Sequence, residues 1–197
     1  MSRLPQVATD QATKQQAELF ELVKSKLGRV PNLFRALANS PAALRGYLEF
    51  SGAIGAGEGL SAQQREIVAL TVGEANGCEY CLAAHSTIGK MVGLSPEAIE
   101  AARQSDGFDD ASRAVARFAK SVLESRGRVS DAELDAFRDA GFGDDGVVEV
   151  VAHVALNVYT NFFNNLVETD VDFPAAAPLA AGASDEAACS TDCGCAV

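Results

Sequence analysis

The run EIVALTVGEANGCEYCLAAH, Glu66 to His85, holds two of the chain's five cysteines, one of its two histidines and a carboxylate at a fixed distance upstream. Ser61 and Gln64 make an S-x-x-Q capping box, which predicts a helix from about residue 62. Asn76-Gly77 ends it, because both residue types tolerate the left-handed backbone that closes a helix. A second helix is expected from about Cys78 toward Val92. Along it Cys78, Cys81 and His85 stand at i, i+3 and i+7, and at roughly 100° per residue they fall within an arc of about 60°.

Two thiols and an imidazole on one stripe at a helix start can do redox chemistry. Backbone N–H groups and the positive end of the helix dipole favour thiolate over thiol. Three-residue spacing on a helical turn lets the two sulfurs close into a disulfide with little backbone movement. His85, four residues beyond Cys81, can reach that sulfur and exchange a proton with it near neutral pH. Glu66 lies twelve residues before Cys78, and in an antiparallel helical hairpin its carboxylate can orient His85 directly or through a water. Taken singly, each member has a plainer reading: chance or half a zinc site, an ordinary helix histidine, a solvated glutamate. The combination is what points to chemistry. Physics leaves the nucleophile open, since Cys78 is nearer the dipole end and Cys81 nearer the histidine.

The pattern E-x11-C-x2-C-x3-H, carried by Glu66, Cys78, Cys81 and His85, resembles the signature of the alkylhydroperoxidase D-like (AhpD-like) proteins of the carboxymuconolactone decarboxylase superfamily. RVPNLFRALANSP (Arg29 to Pro41) resembles the N-terminal segment of their peroxidase-related branch, and NVYTNFFNNLVETDVDFP (Asn157 to Pro174) its closing helix. The resemblance therefore covers roughly residues 12 to 174. One departure matters: some members carry a histidine immediately before the second cysteine, and this chain has Tyr80, so a relay through that histidine has to be rebuilt or shortened.

The resemblance implies an all-α domain centred on the motif hairpin, a homo-oligomer (trimer or hexamer), and reduction of hydrogen peroxide or organic hydroperoxides without a cofactor. It assigns Cys81 the attack on the O–O bond, Cys78 the condensation to a disulfide, His85 with Glu66 the protons, and an external dithiol the return of electrons. Two other classes remain. One is a lactone decarboxylase of the same superfamily, for which a Cys-x-x-Cys is unnecessary. The other is a metal or metalloid binder using Cys78, Cys81, His85 and the tail cysteines Cys189, Cys193 and Cys195.

The elements that must hold this hairpin are legible as caps and periodicity. Residues 11 to 27 place Leu19, Phe20, Leu22, Val23 and Leu27 as one amphipathic helix ended by Gly28. Pro31-Asn32 starts a short helix through about Ala38, and Ser40-Pro41 a longer one to about Ala56. After the motif, Gly93 ends a helix and Ser95-Pro96-Glu97 starts another. A further helix from about Asp110 carries Val115, Phe118, Ala119, Val122 and Leu123, and Ser130 with Glu133 caps the helix that ends at Gly141. No alternation of period two appears, so the chain reads as all-α.

The last helix, about Gly146 to Glu168, is apolar nearly all round, which predicts burial against its own domain and a neighbouring subunit. His153 within it reads as a hydrogen-bonded core or interface histidine. Asn157, Asn161, Asn164 and Asn165 form an amide stripe, suited either to interhelical hydrogen bonds or to contact with the active-site pocket. The formal charge is −11; residues 139–197 carry ten acidic and no basic side chains, which makes nucleic acid a poor partner. The absence of a run of about 18 apolar residues and of a secretory leader points to no membrane span and to the cytoplasm, where thiols stay reduced. After Pro174 the Ala-, Gly- and Ser-rich composition predicts a flexible tail, 175–197, whose three cysteines could relay thiol–disulfide exchange or clasp a soft metal.

Overall fold

Helix starts are written into this chain as side-chain caps, and the structure uses them. The computed structural model describes residues 2–179. Over them it forms α1 (Lys14–Leu27), α2 (Asn32–Leu37), α3 (Pro41–Ile54), α4 (Ala62–Ala75), α5 (Glu79–Met91), α6 (Pro96–Arg103), α7 (Asp110–Ser125), α8 (Asp131–Asp139) and α9 (Asp144–Val167), with no strand among the described residues. Thr13, Ser61 and Ser130 make reciprocal capping boxes with Gln16, Gln64 and Glu133. Ser40 and Ser95 cap helices whose first residue is proline, and Asp109 caps α7. The all-α expectation holds, with boundaries displaced by a few residues.

α4 is the axis. Its residues Ile67 to Gly73 are all buried, so it has no solvent face in that stretch, and α5, α6, α7 and α9 pack around it. One core gathers Val68, Leu70 and Val72 of α4 with Val115, Phe118 and Val122 of α7 and Val150 and Val154 of α9. Phe137 of α8 is sandwiched there between Phe118 and Phe142, with ring centroids 4.4 Å apart on both sides. A second core joins Leu19, Phe20 and Val23 of α1 and Leu33, Phe34 and Leu37 of α2 to Cys78, Tyr80, Cys81 and Ala84 at the start of α5. The motif hairpin thus lies between two apolar clusters, α4 serving one and the first turns of α5 the other.

The turn between α4 and α5 is short because one residue does two jobs. Gly77 adopts φ +59° and its N–H bonds to the Glu74 carbonyl at 3.0 Å, while the Cys78 N–H reaches back to the Gly73 carbonyl at 2.9 Å. That is the paired bonding by which a left-handed residue closes a helix. Cys78 is at the same time the N-cap of α5, its sulfur accepting the N–H of Cys81 at 3.3 Å.

α9 crosses the whole bundle. By length and composition it could cross a membrane, yet close to half of it is buried in the protein against α3, α4, α5 and α7, as a core helix is. Its outer side carries Val148, Val151, Tyr159, Phe162 and Leu166 as an exposed apolar stripe. Beyond it, Asp172 accepts from Arg29 at 2.8 Å and from the Asn32 N–H at 3.1 Å, tying the closing segment to the start of α2. The chain does not leave the domain at Pro174: Ala176 packs on the first core and the Ala177 carbonyl accepts from Arg103. Cys189, Cys193 and Cys195 lie outside the described residues.

Gly77→Ala tests the turn. A methyl there meets nothing within 4 Å, so the cost is backbone strain alone. We expect a loss of about 1–2 kcal/mol in urea unfolding; an unchanged midpoint would show that the left-handed conformation is not required.

Candidate active site

Cys78 and Cys81 are joined as a disulfide with their Cα atoms 5.3 Å apart, a separation within the usual range for such a bridge. The two sulfurs are not equivalent. Cys78 is wholly buried in the hairpin turn, whereas Cys81, 3% exposed, lines a cavity of about 270 Å³. Glu66 and His85 line the same cavity, and His85 Nδ1 lies 2.7 Å from Glu66 Oε2. Glu66 sits one turn inside α4 and His85 at mid-α5, so the antiparallel packing of the hairpin brings them together without a bridging water. The four residues singled out from spacing are thus one group. Glu66 holds His85 directly through Nδ1, the contact expected of an antiparallel hairpin.

The rest of the wall is mostly apolar, from Val23, Leu33, Phe34, Leu48, Ile88 and Leu156. Two further features bear on its chemistry. Asn164 of α9 donates from Nδ2 to the Cys81 sulfur at 3.3 Å, while its own Oδ1 is buried without a partner. An unpartnered buried oxygen costs about 1–3 kcal/mol, so Asn164 is held there at a cost. His153, also on α9, lines the cavity as well.

The sequence profile of the carboxymuconolactone decarboxylase family matches residues 41–124, from the start of α3 to the end of α7. No protein of curated function matches the chain by sequence. Among solved structures, the alkylhydroperoxidase AhpD core of an uncharacterized peroxidase-related protein from Ralstonia eutropha JMP134 superposes with a TM-score of 0.79 at 24% identity, over 87% of this chain and 92% of that one. An uncharacterized peroxidase-related protein from Silicibacter sp. TM1040 gives 0.76 at 24% identity, over 86% and 91%. A cysteine-to-alanine variant of the debrominase Bmp8, in complex with 2,3,4-tribromopyrrole, gives 0.73 at 20% identity, over 86% and 91%. Residues 41–124 are thus similar to the carboxymuconolactone decarboxylase family, and the fold around them is AhpD-like.

Tyr80, beside the second cysteine of the motif, is given a structural task in this AhpD-like fold. Its hydroxyl donates to Asp172 Oδ1 at 2.8 Å and accepts the Leu33 N–H at 3.1 Å, and its ring meets Phe173 edge-on. Burial, and then the neighbouring Asp172, push the phenol pKa well above the usual tyrosine range, so it stays protonated and fixed. Tyr47, another cavity residue, is likewise held protonated by burial, with the Glu66 charge adding to the effect. The proton-handling groups left on the wall are the Glu66–His85 pair and His153.

The amide stripe resolves residue by residue. Asn76 donates to Asn161 Oδ1 at 2.9 Å and Asn165 donates to the Asn76 carbonyl at 2.8 Å, so these two clamp α9 to the end of α4. Asn157 donates to the His153 carbonyl and lines the cavity, and Asn164 reaches sulfur. Both readings of the stripe are therefore present, on different members. Only the asparagine spacing signalled them in the sequence; which one meets a cysteine depends on how α9 rotates against α5. Among the described residues no three His, Cys, Asp or Glu side chains are grouped to hold a metal ion.

The Asn164 amide, held 3.3 Å from the Cys81 sulfur, would stabilise a thiolate there once the disulfide is reduced. Asn164→Leu should raise the Cys81 thiol pKa by about one, the scale of a hydrogen bond to a charged group. Ultraviolet thiolate absorbance against pH measures it. An unchanged titration would make Asn164 a packing residue only.

Proposed function

We propose that the protein is a cysteine-dependent peroxidase of the AhpD-like kind, reducing a hydroperoxide inside the cavity that Cys81 lines. The observation that carries this reading is the placement of Cys81, disulfide-bonded to Cys78, in one apolar cavity with the Glu66–His85 pair. A thiolate, a partner thiol and a histidine–carboxylate pair around one space are the parts such a reaction needs.

In the proposed sequence, the Cys81 thiolate attacks the terminal oxygen of the hydroperoxide, forming an S–O bond as the O–O bond breaks. The departing alkoxide takes a proton from His85, which Glu66 holds in orientation, and leaves as alcohol, or as water when the substrate is hydrogen peroxide. Cys78 then attacks the sulfur of the Cys81 sulfenic acid; an S–S bond forms and the hydroxyl leaves as water. An external dithiol restores both thiols by exchange and is itself oxidised to a disulfide. Because Cys81 rather than Cys78 borders the cavity, the incoming reductant thiolate meets Cys81 first. The donation from Asn164 supports the thiolate at that position. A reducing compartment such as the cytoplasm suits this cycle.

The exposed stripe of α9 fits the same reading as a self-association face. Val148, Val151, Tyr159, Phe162 and Leu166 lie along one side of a helix whose opposite side reaches the cavity through His153, Leu156 and Asn157. We expect a homo-oligomer closed on this stripe, with Phe162→Asp lowering the mass seen by light scattering; the same mass in both proteins would dismiss the stripe as the interface.

For the chemistry, the reduced protein should lose two hydrogens across the Cys78–Cys81 peptide on mild peroxide treatment, read by peptide mass mapping. Glu66→Gln should slow that loss by roughly 10²-fold, the scale for removing part of a positioned acid–base group. Passage of Cys81 straight to sulfinic acid with Cys78 free would overturn the resolving role. A folded Glu66→Gln protein reacting at the wild-type rate would remove Glu66 from the relay.

A further inference from the structure

The cavity has a charged mouth and an apolar floor. Lys26 and Leu27, at the end of α1, line it while lying exposed, whereas Cys81, Leu33 and Phe34 line it from buried positions. The Lys26 ammonium reaches across to α3, 3.6 Å from where a side chain on Gly52 would begin. A lysine in the last turn of a helix complements the helix dipole, and Lys24 shares that role. What sets Lys26 apart is that it borders the cavity and pairs with no carboxylate among the described residues. The other charges on the wall are already matched. Arg65 donates to the Gly57 and Leu60 carbonyls at 3.2 and 2.7 Å, and Glu66 holds His85 at 2.7 Å.

We propose that this cavity takes an anionic amphiphile, a short apolar chain headed by a carboxylate, with the head held at the mouth by Lys26 and the chain inserted toward Cys81. The walls select the chain: Leu33, Phe34, Leu48 and Ile88 surround a space of about 270 Å³ and offer it no side-chain hydrogen bond. That space equals roughly nine waters, enough for a short alkyl chain. Desolvation sets the orientation. A carboxylate pushed inward loses its water among apolar groups and meets the Glu66 charge on the same wall. At the mouth it keeps water on one side and gains an ammonium on the other. The long, flexible lysine stem lets that ammonium follow the head while its methylenes cover the entering chain.

The substrate class that follows, a short-chain acid bearing its hydroperoxide group on the chain, rests on the peroxidase reading; the binding preference does not. With the head fixed at Lys26, the part of the molecule that reaches the sulfur is the chain. Lys26 is then a binding residue and takes no part in the proton transfers.

The test uses the full chain in its disulfide form, so that nothing turns over, with octanoate, octan-1-ol, octylammonium and acetate as probes. Calorimetric titration should show octanoate binding and acetate not. Lys26 is exposed, so its replacement leaves the packing of the core untouched. Lys26→Met should weaken octanoate about threefold, the scale of a partly exposed ion pair, while octan-1-ol stays within about 1.5-fold. Lys26→Arg should keep octanoate binding, and Lys26→Glu should turn the preference toward octylammonium. Raising sodium chloride from about 20 to about 500 mM should weaken octanoate in the wild type and leave octan-1-ol unchanged. Octanoate affinity that is the same in wild type and Lys26→Met, an equal loss of octan-1-ol, acetate binding as tightly as octanoate, or no binding of any amphiphile each overturn the proposal. Should a variant fail to fold, the salt series on the wild type decides. A protein that holds octanoate through Lys26 yet reduces no hydroperoxide keeps this proposal and loses the peroxidase reading. A peroxidase whose octanoate affinity ignores Lys26 does the reverse.

Discussion

The structure depends on the bond from the Cys78 N–H back to the Gly73 carbonyl. It closes α4 with no residue to spare and leaves the same cysteine as the first cap of α5. A longer connection would let the two helices slide against each other. Here the register is set at the turn, and everything upstream and downstream inherits it. Glu66 and His85 meet at 2.7 Å because they are counted out from a fixed hinge along two antiparallel rods. The sulfur of Cys78 is spent on the N–H of Cys81, which keeps the pair at the geometry of a single turn.

Packing protects that hinge from both sides. α4 gives all its faces to the protein over Ile67 to Gly73, and Gly73 stands against Leu82 and the Cys81 Cβ, at 3.4 and 3.8 Å from where a side chain would begin. Larger residues there would push α5 outward. On the other side, the start of α5 is covered by α1 and α2, which the closing segment then locks in place. Asp172 alone joins Arg29, the Asn32 N–H and the Tyr80 hydroxyl, so residues far apart in the chain converge on one carboxylate. The Arg29 guanidinium also lies 4.4 Å above the Phe173 ring. Tyr80 is thereby a strut between the motif helix and the chain's end, which explains why a phenol rather than an imidazole suits this position.

α9 faces three environments at once. One side joins the core through Val150 and Val154, one carries amides and His153 toward the cavity and the cysteines, and one exposes large apolar groups. A helix with such divided duties cannot show a clean amphipathic pattern, and its near-uniform apolar character is the result. The same division connects the cavity to the outer surface by one rigid element. A change in how the outer stripe is covered would bear on the cavity wall at His153 and on the Asn164 contact to the Cys81 sulfur.

The sequence by itself determined the helices, their order and the motif hairpin, since these rest on local chemistry. Capping boxes at Ser61 and Ser130, proline after Ser40 and Ser95, and Asn76-Gly77 act over three or four residues and need no distant partner. The grouping of Glu66, Cys78, Cys81 and His85 was legible for the same reason, because a hairpin with a short turn leaves little freedom between two counted helices. What only the tertiary structure decided lies across long chain separations. That Cys81 and not Cys78 borders the cavity follows from how α1, α2 and α9 close over α5. Tyr80 became a strut because Asp172, ninety-two residues away, supplies its acceptor. His153 read as a hydrogen-bonded core or interface histidine, and the asparagines of α9 as a stripe suited either to interhelical hydrogen bonds or to the pocket. Their roles depend on the rotation of α9 about its own axis. No local signal encodes that angle; it is set by the sum of side-chain contacts along the helix.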